Sequence, residues 1–551
     1  MVKRFDVRSG EMSTVSSSVA PVTSPAPTVT ANWFLRRVRL TPDRPAMTFE
    51  GSTWTYGRMW EEVDEATDVL RGAGVGPGDR VAYVGMNDAL IFVMLLAANR
   101  LGAALVPLNF RLTAPELVQL LDDARPSVVV ADNVRQSVLS QAGDGLVPPP
   151  TFLASEPGGQ FPFWREAKRA SGPLPPVTGS DVATIMYTSG TSGRAKGVLM
   201  THDNHWWGAL NGATTLEYGR DEVTLVMGPM FHVAGFCSTN IWTWMRGGHV
   251  IAHREFSPTT VLRDIEAHRV TSLGTVTTLL QLLAQDPDFE TADLSSLSMI
   301  YCGGVAMPAE VVERFAAKGV PIQGAYGSTE SVPVMTILPA EHALTKRLSP
   351  GRPAMFIEVR IVDGNGQEVT GPGLQGEVWV RGPSVSPGYW SNEEATMASR
   401  SPGGWFKTGD MAEWDEDGFI YLVGRAKDLI KTGGETVAPD EVESVLASHP
   451  SVQEVAVVGT PHPRWGETPV AVVVLQPGSS LALDELRDAA GDRLARFKLP
   501  TQLVVVDVLP RNAAGKVLKY VLREQVAAGA NDHSSGSEDR SATTSHRSVA
   551  K

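Results

Sequence analysis

The sequence predicts an α/β protein: a large N-terminal domain of layered, mostly parallel sheets and helices, a β-rich subdomain, and a small α+β C-terminal domain. Three observations lead there. Short apolar runs alternate with helical patterns as far as about residue 350, as parallel strands covered by helices do. Apolar–polar alternation with turn residues takes over near Ile357. A second, compact α+β pattern begins near residue 426.

Taken in order, the strand-like stretches are 80–85, 127–131, 183–188, 224–227, 249–252, 298–302 and 321–324. Helix-like segments stand between several of them, at 89–101, 258–268 and 308–317; in the last, Val311, Val312 and Phe315 recur at helical spacing. Residues 146–180, rich in Pro and Gly, read as irregular connection. Residues 357–361 alternate, and Asp363-Gly364-Asn365-Gly366 supplies a turn before Glu368-Val369, which predicts a hairpin. Residues 376–382 read as another strand. The C-terminal pattern predicts a helix near 439–448, strands near 453–459 and 468–476, a helix near 483–495 and a strand near 501–507. Both ends read as tails that bury too little apolar surface to become ordered. The partition is therefore a disordered tail over 1–30, a large domain over 31–425, a small domain over 426–526 and a disordered tail over 527–551.

Composition narrows the function classes. The 551 residues are 42% hydrophobic and 20% charged, which excludes disorder as the main state. A net charge of −13 argues against nucleic acid or an anionic membrane as partner, since both favour the opposite sign. Two cysteines, Cys237 and Cys302, cannot build a disulfide framework and suit a reducing cytoplasm. The longest apolar run, 89–98, is about half the ~20 residues that a membrane span needs, so no integral membrane segment is expected. The first residues lack the apolar stretch of a secretory signal.

The strongest local signal is Tyr187-Thr188-Ser189-Gly190-Thr191-Ser192-Gly193-Arg194-Ala195-Lys196-Gly197, directly after a strand-like run. Glycines let backbone N–H groups approach a phosphate chain, hydroxyls donate to its oxygens, and Lys196 offsets its charge. The spacing is not that of a Walker loop. A Gly- and Ser-rich surface loop has similar chemistry, but density and position favour phosphate binding.

This loop resembles the phosphate-binding loop of the adenylate-forming superfamily, which includes acyl-CoA synthetases, aryl-CoA ligases, luciferases and peptide-synthetase adenylation domains. Other landmarks of that superfamily stand in the same order: Tyr326-Gly327-Ser328-Thr329-Glu330, Thr408-Gly409-Asp410, Gly424-Arg425-Ala426-Lys427-Asp428, and Pro510-Arg511-Asn512-Ala513-Ala514-Gly515-Lys516. Cys302-Gly303-Gly304 and Lys431-Thr432-Gly433-Gly434-Glu435 look most like fatty acyl-CoA synthetases. The phosphate loop departs from the family at Ala195, where proline is common; that proline supplies rigidity rather than a functional group.

The resemblance implies ATP, Mg²⁺ and coenzyme A as ligands, with Thr188, Ser189, Gly190, Thr191, Ser192, Gly193, Lys196, Gly303, Gly304, Gly324, Ala325, Tyr326, Gly327, Ser328, Thr329, Asp410, Arg425 and Lys516 around the nucleotide. Glu330 ligates the metal, Thr329 meets the α-phosphate, Tyr326 stacks on adenine, and Asp410 and Arg425 bind the ribose. Lys516 bridges carboxylate and α-phosphate in the first half-reaction. Lys427 is the hinge about which a mobile small domain rotates, and Gly433 and Gly434 pass a pantetheine arm. Lys431 either supports the second half-reaction or is a solvated charge. His232, in Met230-Phe231-His232-Val233-Ala234-Gly235, either lies beside the substrate or is a core histidine satisfied by backbone. Phe236 and Gly304 join it at the acyl pocket, and Trp206, Trp207, Trp242 and Trp244 fit an acyl pocket or a Trp-rich core equally. The implied activity is ATP-dependent conversion of a carboxylic acid, fatty or otherwise apolar, to acyl-AMP and then acyl-CoA. A carrier-protein thiol, an amine or another small nucleophile of specialised metabolism is the alternative acceptor, and an acyl carrier protein or a homodimer is compatible with it.

Overall fold

The computed structural model describes residues 2–5, 12–15, 30–132, 151–155, 167–188, 195–216, 219, 221–303, 307–425, 428–432, 435–491, 493–511 and 517–534. Two compact units emerge: one of residues 1–358 and 381–399, the other of 359–380 and 400–551. Strands 376–381 to 420–425 thus group with the C-terminal elements. Helix Pro439–Leu446 packs on strand Ile420–Arg425, and that contact draws them together.

The first unit is built on two sheets. One has six strands in the order Lys196–Thr201, Val182–Thr188, Ala104–Leu108, Arg80–Val84, Val128–Asp132, Thr151–Ser155, all parallel except the Lys196–Thr201 hairpin partner. The other has nine, with a parallel centre formed by Pro45–Phe49, His249–Ala252, Val223–Val226, Ser272–Val276, Met299–Gly303 and Ile322–Tyr326. Helix Leu90–Arg100 is apolar nearly all round because it lies in the core that both sheets share, with Val81, Val128, Met47 and Val250. Helix Ala114–Ala124 covers the other face of the six-stranded sheet through Leu117 and Leu121. Helices Pro258–His268, Thr277–Gln285 and Ala309–Ala317 cover the other face of the nine-stranded sheet. The expected α/β layering is what forms.

Three of the strands that escaped the sequence patterns did so for identifiable physical reasons. Ala104–Leu108 contains Pro107, which has no N–H to donate; its ladder to Val182–Thr188 is confined to Leu105, so nothing is lost. Ser272–Val276 is short, polar and interrupted by Gly274. Thr151–Ser155 lies inside the stretch read as irregular and pairs in parallel with Val128–Asp132. In the N-terminal tail region, Val2–Phe5 and Met12–Val15 pair antiparallel.

In the second unit, the hairpin around Asp363 forms as expected, with Asp363 Oδ1 accepting from the N–H groups of Asn365 and Gln367. The C-terminal sheet carries period-two burial. Val457 and Val473 face helices Pro439–Leu446 and Leu483–Gly491, whereas Ala456, Val458 and Val472 face helix Lys519–Ser534. That last helix runs past the expected tail boundary at 526 because Leu522 and Val526 are buried and three alanines follow.

Candidate active site

The parallel strands of the nine-stranded sheet end close to most of the singled-out residues of the first unit. Gly303 ends Met299–Gly303 and pairs with Ala325; Gly324, Ala325 and Tyr326 end Ile322–Tyr326; residues 227–232 follow Val223–Val226. Carboxyl ends of parallel strands are where α/β sheets bind ligands, because loops there are free of the ladder. Tyr326 is only 7% exposed. Gly327 has a structural reason of its own: a Cβ there would stand 1.9 Å from the Pro333 carbonyl oxygen.

Thr329–Ser331 forms a single 3₁₀ turn. The Ser328 N–H donates to Ser331 Oγ at 3.0 Å, and the Ser331 hydroxyl returns to the Ser328 carbonyl at 3.0 Å. The Glu330 carbonyl accepts from the Ser386 N–H at 2.8 Å. Its carboxylate accepts from the Tyr389 hydroxyl at 3.0 Å. Lys196 Nζ lies 5.3 Å from the centre of the same tyrosine ring. Lys196 is paired across its hairpin with Thr188, so the two ends of the phosphate loop are adjacent. Tyr389 had no local signal in the sequence; it is 59 residues from Glu330.

Three buried polar atoms near these strand ends, Ser328 Oγ, Thr275 Oγ1 and His232 Nε2, have no hydrogen-bond partner among the described residues. Unpaired buried polar atoms are costly, and gathering them at strand ends suits a ligand that satisfies them. His232 caps helix Val233–Phe236, and its ring centre lies 4.6 Å from that of Phe231. Burial, aided by the positive Arg111, pushes its pKa down to about 4, so the imidazole is neutral at physiological pH. Among the described residues no backbone group satisfies that Nε2.

Phe236 lies in the core. It is fully buried, stacks on Phe92 at 5.8 Å and belongs with Trp244 and Tyr56 to one aromatic cluster. Trp242 and Trp244 are core residues too. Burial makes Cys237 and Cys302 inert: both thiols are raised, Cys302 to about 12.

In the second unit, Asp410 and Arg425 face each other across an antiparallel pair and form an ion pair of 2.6 Å. The Asp410 N–H donates to Thr408 Oγ1, whose hydroxyl donates to the Val378 carbonyl. The Gly409 N–H donates to Glu377. The motif is therefore a rigid cross-strand corner. Lys431 lies in strand Ile430–Thr432. The loop carrying Lys516 is closed at its base by the Arg511–Val517 bridge and a hydrogen bond from Leu518 to Pro510. Three residues after Lys516 in the chain, Lys519 pairs with Glu443 at 2.8 Å and Asp440 at 3.2 Å. Ser189, Gly190, Thr191, Ser192, Gly193, Gly304, Lys427, Gly433, Gly434 and Lys516 itself lie outside the described residues.

Among the described residues no cluster of three His, Cys, Asp or Glu side chains could cage a metal. One carboxylate beside hydroxyls instead fits Mg²⁺ carried largely by nucleotide phosphates and water, the habit of that ion. Among the described residues no helix is long and apolar enough to cross a membrane.

Residues 34–390 match the AMP-binding enzyme family, and residues 441–516 match the AMP-binding enzyme C-terminal domain. A feruloyl-CoA synthase of an Amycolatopsis species is 39% identical over 494 residues, 90% of this chain and 98% of that protein. A long-chain-fatty-acid–CoA ligase of Mycobacterium tuberculosis is 36% identical over 499 residues, 90% of this chain and 98% of its own length. The o-succinylbenzoate CoA synthetase of Bacillus subtilis, solved with its acyl-adenylate intermediate, matches with a TM-score of 0.82 at 31% identity, covering 91% of this chain and 99% of that one. The same synthetase has been solved with ATP and a magnesium ion.

Proposed function

The chain belongs to the AMP-binding enzyme family and is an AMP-forming acyl-CoA synthetase; we propose that it activates an apolar acid, aryl or fatty, and delivers it to coenzyme A. One arrangement supports the nucleotide-dependent activation step above the rest: a phosphate-loop lysine, a tyrosine and a candidate metal carboxylate meet as Lys196, Tyr389 and Glu330 near the end of a parallel strand.

A carboxylate is a poor acyl donor because oxide is a poor leaving group. Its oxygen attacks the α-phosphorus of ATP, the bond to the β-phosphate oxygen breaks, and pyrophosphate leaves. Thr188 and Lys196 hold the phosphate chain, and Thr329 donates to the α-phosphate. Lys516 brings its ammonium between the two reacting anions, where it offsets charge that develops as the bond forms. Bound Mg²⁺, held by Glu330, supplies further positive charge to the phosphates. Asp410, oriented by Arg425, accepts from the ribose hydroxyls.

In the second half-reaction the CoA thiol attacks the acyl carbon, the bond to the AMP oxygen breaks, and the thiol proton leaves to solvent. The family-like hinge at Lys427 lets the domain over 426–526 withdraw Lys516 and present the Gly433-Gly434 segment to the pantetheine arm. Lys431 stands beside that segment. The neutral His232 offers one ring nitrogen to the acid without adding charge, and Phe231 and Phe110, 5.7 Å apart, give that region an apolar wall. Two buried thiols suit a cytoplasmic enzyme.

The test is ATP–pyrophosphate exchange with a panel of fatty and aryl acids, repeated as CoA consumption with mass analysis of the product. Acid-dependent exchange and an acyl-CoA product are expected. Exchange without CoA consumption transfers the acceptor role to a carrier-protein thiol or an amine, and no exchange with any acid overturns the reading.

A further inference from the structure

We propose that Tyr389 is a positioning residue for metal–nucleotide binding: its hydroxyl engages one Glu330 oxygen and leaves the other for Mg²⁺, while its ring steadies Lys196. The proposal rests on reading Glu330 as the metal ligand.

Glu330 sits on a turn of only three residues, too short to fix a flexible side chain by itself. The Tyr389 hydroxyl, 3.0 Å from Oε1, selects one carboxylate orientation. A charged acceptor makes that hydrogen bond stronger than a neutral pair would. Lys196 and Glu330 carry opposite charges in one site, yet Lys196 forms no ion pair among the described residues. It lies over the tyrosine ring instead, at 5.3 Å. The ring's negative face holds the ammonium in place without neutralising it, so Lys196 keeps its charge for a phosphate.

Tyr389 can do this because its own backbone is strapped down independently of its ring. The Asn204 amide, fixed in the capping box of helix His202–Thr215, donates to the carbonyls of Pro383 and Val385. The Ser386 N–H donates to the Glu330 carbonyl, the Leu199 N–H to Gly388, and the Trp390 N–H to Gly197. The Tyr389 N–H donates to Thr396 Oγ1 at 3.0 Å. Residues 383–390 therefore link the strand that leaves the phosphate loop to the turn that carries Glu330. Since none of these strap bonds uses the tyrosine hydroxyl, Tyr389→Phe removes the hydrogen bond to Glu330 and keeps the ring.

The test uses the full-length enzyme with an α,β-methylene analogue of ATP and no acid. Mn²⁺ replaces Mg²⁺ and is followed by electron paramagnetic resonance; nucleotide affinity is measured in parallel with EDTA. Tyr389→Phe is expected to weaken Mn²⁺ binding in the ternary complex about five- to tenfold and leave metal-free nucleotide affinity unchanged. Tyr389→Leu is expected to weaken metal-free nucleotide binding as well, because Lys196 loses the ring. Wild-type Mn²⁺ affinity in Tyr389→Phe, or equal loss with and without metal, overturns the proposal. Glu330→Gln separates the two ideas. If it weakens Mn²⁺ binding while Tyr389→Phe does not, only the role of Tyr389 falls; if it leaves Mn²⁺ binding intact, the metal-ligand reading falls and takes the proposal with it.

Discussion

Glu330 and Lys519 are both charged side chains at the edge of a candidate site, and their surroundings hold them by different means. Around Glu330 the contacts are a tyrosine hydroxyl, main-chain amides and a strap anchored by asparagine. Around Lys519 they are carboxylates, Glu443 and Asp440. Burial opposes the charge on Lys519, yet those two anions outweigh it and hold the ammonium above the usual lysine range. The C-terminal unit repeats this habit in Arg511–Glu454, Arg523–Asp428 and Lys498–Glu441. A site on the ends of a large, covered sheet can rely on fixed main chain and neutral donors. A small unit with fewer strands has less core to set its edges, and ion pairs make up part of the difference.

The contrast can be tested at four points, from the largest effect to the smallest. Lys516→Ala is expected to lower adenylate formation on the order of 10³-fold, while thioesterification of supplied acyl-AMP stays within a few-fold of wild type. Single-turnover assays of each half-reaction check this, and equal loss in both would remove Lys516 from the first step.

Acid should act on the first unit. Burial lowers His202, His232 and His249 to about 4 and His205 to about 3, against 6.5 for a free imidazole. These groups are neutral when folded at pH 5 and charged when unfolded, so unfolding takes up about four protons there. Their contribution is complete above pH 6.5 and is lost as pH falls towards 4. Stability read from melting temperatures should fall more steeply with decreasing pH across that range, and His249→Gln should reduce the dependence by about one proton; an unchanged slope would show that His249 is already protonated in the fold.

Lys519→Met leaves Glu443 and Asp440 facing each other without their cation, at a cost of roughly 3 kcal/mol. Amide exchange should rise in helix Lys519–Ser534 and leave residues 322–326 unaffected; a uniform rise would erase the distinction between the units. Gly208→Ala does the reverse. Its Cβ would fall 1.8 Å from the Val332 carbonyl oxygen, just beyond the Glu330 turn. Overpacking of that kind costs about 1–3 kcal/mol, and nucleotide affinity should fall with it. Normal affinity in a folded variant would mean that the turn yields without moving Glu330.

Much of the fold was legible because it is local chemistry. Helix Pro258–His268 matches its sequence boundaries because Pro258 starts it and Ser257 caps it. The phosphate loop could be proposed from sequence for the same reason, its donors being contiguous. Phe236, expected at the acyl pocket, is buried against Phe92, and the sequence left pocket and core open because an aromatic residue beside a motif looks the same in either setting. The division of units also differed, since helix Pro439–Leu446 binds the preceding strand through contacts that composition does not record.

By itself the sequence determined the α/β class and the ordered motifs, and the resemblance those motifs carry is what nominates Lys196, Glu330, Asp410, Arg425 and Lys516 for the site. Motifs depend on residue type and short spacing, which survive without coordinates. Only tertiary structure brought Tyr389 to Glu330 and Lys196, cross-paired Asp410 with Arg425, and left Ser328, Thr275 and His232 with unsatisfied polar atoms at the ends of strands. Those relations join segments far apart in the chain, and pairing register and packing, which no short window contains, decide where such segments meet.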